Sequence, residues 1–402
     1  MAKPRDGSSN GIAEAFVAII GRRAWSKRME ELRVGCGGAQ RSARALAQRH
    51  AVEVTIERIR RAPHGYVPTT GERSLLRVAE EAISAYSHLT RDGKTRFKLA
   101  AERALTDNGT LISLFHLFRV AALQRSRGFA VAYAGFDDAT PFDLLISRDG
   151  AEAEIACDVV SAEDGRDVHR GAWVRLVDRI DPDLQTWLAA HPGRYLLKLT
   201  LPQGLRSDAA DQDRLASLHT RIRTMLEGQR RADHDEAAVL RLDPLMLAAA
   251  QADETGLMSS LRREFGHQAH LAVTAAGQGV FVLAARAGRE DEVAPALRRR
   301  LAAIAPTRLT GTRPGILAMF VEDTDRIEWR HLRDQLELEG EARHFLTHPE
   351  ARPVVAVTCA SRLELFGAPA PDSVVGGELR FRNPAHPAAK AAALAPAVLS
   401  ST

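Results

Sequence analysis

Between residues 143 and 158 the chain sets acids where they can act together. The run Glu152-Ala153-Glu154-Ile155-Ala156-Cys157-Asp158 alternates in polarity. A strand period of two places Glu152, Glu154, Ala156 and Asp158 on one face and Ile155, Cys157 and Val159 on the other. Asp143 stands near the start of the preceding apolar run, Phe142–Ile146. Carboxylates held close together are what a hard cation takes as ligands; the plain alternative is a solvated strand face. Further on, Lys198 lies mid-strand and faces the same way as Leu196 and Thr200. The chain has six lysines, and Lys198 is the only one between residues 99 and 389. Arginine carries the positive charge elsewhere, so a lysine here points to a compact ammonium that a guanidinium cannot mimic. An edge or snorkelling lysine is the alternative. His169, Arg170 and Arg175 follow the acidic strand in a stretch dense in charge, where a helix cap built on Asp167 would also account for the composition.

The elements that must position these residues can be read from periodicity. Leu111–Ser126 carries apolar residues at helical spacing and is stopped by Gly128. Phe129–Ala134, Phe142–Ile146 and Glu152–Val160 read as strands, the last two joined at Arg148-Asp149-Gly150. Val168–Ile180 is an amphipathic helix, and Arg194–Leu201 is a further strand.

This order, helix, three strands, helix, strand, with acids on the second and third strands, resembles the PD-(D/E)xK nuclease superfamily. The resemblance implies an αβββαβ core, with an Asp opening the second strand and Glu-x-Lys on the third. Pro141-Phe142-Asp143 is similar to the first motif with one residue inserted. The third strand departs from the pattern. If Glu154 is the motif's Glu, the Lys position holds Ala156; if Ala156 takes the Glu position, the Lys position holds Asp158. What the resemblance implies is metal-dependent phosphodiester hydrolysis of nucleic acid. Asp143, Glu154 and Asp158 would converge in one cleft on Mg²⁺ or Mn²⁺, Lys198 would orient the water, and His169 or Arg170 would hold the phosphate. The competing expectation is a nuclease-like core without catalysis, serving as a binding or scaffolding module.

The composition bounds these readings. Hydrophobic content of 45% and charged content of 26% belong to an ordinary globular chain. Three widely spaced cysteines argue against a disulfide framework and against a zinc ribbon. No apolar run reaches the ~18–20 residues of a membrane span, and no signal pattern opens the chain, so the expectation is a cytoplasmic protein with no membrane partner. Net charge is +4, and residues 1–61 hold 13 Lys+Arg against 6 Asp+Glu. A basic segment of that kind tracks phosphates or simply solubilises the chain.

The fold class expected is α/β with a mixed central sheet, in four segments. Residues 1–61 form a basic helical segment, dispensable for folding and set off by a linker at 62–71. Residues 72–235 hold helices and the nuclease-like core, 236–367 an α/β extension, and 368–402 a Pro/Ala-rich tail read as disordered. In the extension, His270–Ala276 and Val280–Ala285 form a hairpin, Glu290–Ala305 a helix whose Arg298-Arg299-Arg300 run reads as a wet face, and Gly315–Glu322 and Pro353–Cys359 buried strands. Gly93-Lys94-Thr95 lacks the earlier glycine of a phosphate loop. His344 and His348, with Glu341 one turn earlier, have a spacing that can bind a metal, and a helix C-terminus also attracts imidazolium through its dipole.

Overall fold

The computed structural model describes residues 8–38, 40–206, 211–245, 254–266 and 268–401. The architecture is α/β with two mixed sheets. In chain order the helices α1 (Ser9–Ile20), α2 (Arg22–Gly35), α3 (Arg41–Arg49), α4 (Ala51–Arg60), α5 (Thr70–His88), α6 (Arg91–Ala104) and α7 (Ile112–Ser126) lead into strand β1 (Ala130–Ala132). The short helix α8 (Ala134–Asp137), β2 (Leu144–Arg148) and β3 (Ala151–Ser161) follow. Then come α9 (Arg170–Ala190), β4 (Arg194–Leu201), α10 (Asp211–Glu227), β5 (Ala232–His234), β6 (Val239–Pro244), α11 (Glu254–Phe265), β7 (His270–Ala276) and β8 (Gly279–Ala287). The chain closes with α12 (Val293–Arg308), β9 (Gly315–Glu322), α13 (Arg326–Asp334), α14 (Glu337–Leu346), β10 (Val354–Ser361), α15 (Arg362–Leu365), β11 (Leu379–Arg382) and α16 (Ala395–Val398).

Two compact units result: Met1–Gly35 with Ala47–Ala162 and Ala294–Thr402, and Cys36–Leu46 with Glu163–Val293. These are not the segments expected from composition. The second unit interrupts the first, because the chain leaves one sheet after β3 and returns to it only at β9.

In the first unit the sheet runs β1-β2-β3-β9-β10-β11. β1, β2 and β3 form an antiparallel meander, β9 lies parallel to β3, and β10 parallel to β9. Gly315–Glu322 and Val354–Ser361 are buried at every residue, as expected of central parallel strands covered on both faces. Along the chain α7, β1, β2, β3, α12 and β9 come in that order, with α8 between β1 and β2 and the elements α9 to β8 between β3 and α12. The helix and strand expected to complete the αβββαβ core, α9 and β4, belong instead to the other unit. Periodicity could not reveal this: several helix–strand pairs follow β3, and nothing local says which of them pairs with it.

The N-terminal segment is part of the core rather than an appended arm. Ala13, Phe16, Val17 and Ile20 form one buried stripe of α1, and Trp25, Val52, Ile56 and Ile59 join them in the cluster that also holds α5, α7 and the sheet. Trp25 Nε1 donates to Glu57 Oε2 at 2.7 Å. The stretch expected to be a linker delivers a capping box, in which Thr69 and Glu72 bond each other's backbone N–H at the start of α5. The segment expected to be a disordered tail is also built in. β11 pairs with β10, and Leu394, Ala397 and Val398 are buried in the same core.

In the second unit the sheet runs β5-β6-β4-β8-β7, with only β4 and β8 parallel. Leu197, Leu199, Leu201, Phe281 and Leu283 pack with α9 and α10, while Leu196, Val282 and Ala284 pack with Leu257 and Leu261 of α11.

Candidate functional site

Asp143 sits just ahead of β2. Its N–H donates to the Ile155 carbonyl at 3.0 Å, and the Cys157 N–H donates to its Oδ2 at 2.7 Å. Helix α8 presses on this point: a Cβ on Gly135 would come 2.9 Å from the Phe142 carbonyl oxygen and 3.1 Å from Asp143 Cα, so only glycine fits there. Leu144 pairs with Ile155 across the β2–β3 ladder, and one step further along that register places Ala156 opposite Asp143.

Ile155, Cys157 and Val159 pack toward the cluster that contains α7. The alternate face of β3 meets α12, and α12 brings arginine to the acids. Arg308 Nη2 lies 2.7 Å from Asp143 Oδ2, while its Nε donates to the Pro141 carbonyl at 2.6 Å. Arg300 grips Asp158 with two bonds, Nε to Oδ2 at 2.6 Å and Nη2 to Oδ1 at 3.1 Å. Burial pushes the Asp143 carboxyl above its ordinary pKa. Arg308 and the Cys157 N–H pull it back, and the charge of Asp158 pushes it further up, which places the two aspartates within each other's field.

Glu154 does not join them. It is fully buried and turned to the loop between α12 and β9, where Thr310 donates its N–H at 2.9 Å and its hydroxyl as well. Arg313 Nη1 lies 3.7 Å away, and Arg313 Nε binds Glu152 at 2.7 Å. The structure therefore brings Asp143 and Asp158 to one face and sends Glu154 into a structural role. Among the described residues no group of three or more His, Cys, Asp or Glu is placed to hold a metal ion. A divalent cation wants several oxygen donors that are not already taken. Here two carboxylates are each engaged by a guanidinium and the third is turned away, so this donor set does not fit one.

The remaining expected site residues lie in the second unit. Lys198 Nζ is 3.3 Å from Asp243 Oδ2, and the strand that carries it pairs with β6 and β8, not with the acid-bearing β3. His169 precedes α9, its Nδ1 3.8 Å from Glu163 Oε2, and the Arg170 N–H donates to the same carboxylate at 2.9 Å. Both are thus tied to a local helix start.

Arg300 and Arg308 are the site residues that the sequence does not announce. Arg300 falls in a run of three arginines that has the pattern of a wet face. The available signal is that the helix carrying both precedes a fully apolar run and must lie on the sheet that run enters. A second ionisable feature lies at the end of β9, where burial raises the Glu322 carboxyl to a pKa of about 7; Asp323 adds to the shift, and Arg49 and Arg362 oppose it. Among the described residues no helix is long and apolar enough to cross a membrane. Compared with models of known protein families, with curated proteins and with solved structures, the chain matches none.

Proposed function

We propose that this chain is a nuclease-like binding module that holds a phosphodiester backbone without hydrolysing it. One observation carries the reading. Arg300, Arg308 and Arg313 are all partly exposed, at 47%, 30% and 41%, and each is anchored by an acid on or beside β3: Asp158, Asp143 and Glu152. In either register the third strand lacks the lysine that the resemblance calls for: the position holds Ala156, or Asp158 bound by Arg300. A guanidinium carries five N–H donors, more than a single carboxylate can engage. Arginine is suited to carboxylate beneath and phosphate above, because its planar fork matches both. Phosphate contacts of this kind bind without reading sequence.

Fluorescence anisotropy with labelled single- and double-stranded DNA and RNA tests the proposal, with Mg²⁺ or Mn²⁺ present. The expected result is binding that weakens steeply with salt, with the oligonucleotide left intact. Removing one phosphate-binding guanidinium, as in Arg300→Ala, should lower the log–log salt slope by about one. The hydrolytic reading rests on a separate observation, the register of β2 on β3, which sets Asp143 and Asp158 on one face of the sheet. Metal-dependent cleavage that Asp143→Asn abolishes would replace the binding reading with it.

A further inference from the structure

Lys198, the lone lysine of the central chain, lines a cavity of about 430 Å³ in the second unit. The cavity lies on the sheet face toward α11. In the ladder Lys198 stands directly opposite Arg241, and Thr200 directly opposite Arg286. All four residues line the cavity. Like charges set opposite one another in neighbouring strands destabilise a sheet. Asp243 relieves the first pair, taking Lys198 Nζ at 3.3 Å and Arg241 Nε at 2.9 Å on its two oxygens. Arg286 is exposed, and among the described residues it makes no hydrogen bond or ion pair. Three cations therefore face a cavity whose neighbouring acids are Asp243, already shared between two of them, and Glu264.

The rest of the lining is apolar and smooth. Ala269 and Ala284 are small, and the ring of Phe265 lies 5.7 Å from Lys198 Nζ. A volume of this size suits a small molecule with one charged end. A phosphate answers the surplus of positive charge and the Thr200 hydroxyl, and an aromatic ring system answers the alanines and the phenylalanine face.

We propose that this cavity binds a phosphate monoester carried on a planar ring system, the chemistry of a nucleoside monophosphate. The cavity belongs to the second unit and the arginines along β3 to the first, so its test does not depend on them.

Isothermal titration of the full chain with adenosine monophosphate, adenosine and inorganic phosphate decides the matter. The expected result is one saturable site for adenosine monophosphate per chain, with adenosine and inorganic phosphate each binding at least tenfold more weakly. Arg286→Ala, a change at an exposed side chain, should weaken the nucleotide at least tenfold with no change in melting temperature. Lys198→Met, which keeps the stem over Phe265, should do the same. The proposal is overturned if adenosine monophosphate does not bind, if inorganic phosphate binds as tightly, or if Arg286→Ala binds like the parent protein.

Discussion

Arg308 holds the segment ahead of β2 from two sides: its Nη2 reaches Asp143 Oδ2 at 2.7 Å and its Nε reaches the Pro141 carbonyl at 2.6 Å. One side chain thus both neutralises the aspartate and closes the Pro141-Phe142-Asp143 bend. Arg308→Met should destabilise the protein by about 1–2 kcal/mol, less than the loss of a fully buried pair because both groups keep some contact with water. Asp143→Asn placed on top of it should recover part of the loss. Urea unfolding of the two single variants and the double variant measures the coupling. Strictly additive effects would mean that the pair is not a pair in solution.

Removal of residues 1–61 should abolish cooperative folding. The deletion takes away Phe16, Ile20, Trp25, Ile56 and Ile59, all fully or almost fully buried. Each such side chain contributes about 1.5–3 kcal/mol, and together they account for as much as the 5–15 kcal/mol or so that holds a typical domain together. Calorimetry of the truncated chain checks it; a sharp melting transition would contradict the packing described.

Glu322 should make the protein less stable as pH rises from about 4.5 to 7. Its pKa is raised from 4.5 to about 7 in the folded state, so in that window the folded chain binds more protons than the unfolded one. The stabilisation is complete below the unfolded value and is lost as pH climbs through the folded one. Its size is on the order of 3 kcal/mol at neutral pH and above. Glu322→Gln should flatten that slope and gain stability at pH 8, as read from urea midpoints at several pH values. A variant that follows the parent curve would refute the assignment.

His116 should act in the opposite sense. Its Nε2 bonds the Ala318 carbonyl at 2.9 Å, and burial lowers its pKa to about 4. The unfolded chain binds the extra proton between about pH 6.5 and 4, so stability falls as pH drops through that range. His116→Gln keeps a donor of similar reach and removes the titration. The difference between variant and parent stability should therefore shift by a few kcal/mol between pH 7 and 4, and a constant difference would show that His116 does not titrate there.

Local pattern carries the strands well. Arg194–Leu201 and Gly315–Glu322 are legible to the residue, because an apolar run bounded by Gly or Pro is a local property. Long-range pairing is not legible. Both β4 and β9 are apolar strands that follow a helix after β3, and only the three-dimensional register assigns β9 to it. The same limit applies to the site. Asp143 and Asp158 can be found from sequence because they belong to adjacent strands, whereas their arginines arrive from a helix far along the chain. Glu154 misleads because face alone does not say what a carboxylate meets: one turn of chain, Thr310 with Arg313, claims it. A helix such as Ile327–Leu346 also looks continuous in the sequence, yet Leu336 adopts a left-handed backbone and divides it into α13 and α14.

The interruption of the first unit by the second has a consequence for synthesis on the ribosome. β3 emerges with its β2 partner already made, but its other edge waits for β9, and the whole of Glu163–Val293 is translated in between. Until then a strand that will be internal is an unpaired edge, the kind that invites misassociation between chains. The inserted unit has its own sheet and cores, so it can finish while its host is still incomplete. The closing pairing of β3 with β9 is a contact of high sequence separation, the kind whose loop-closure entropy must be met before the pairing rewards it.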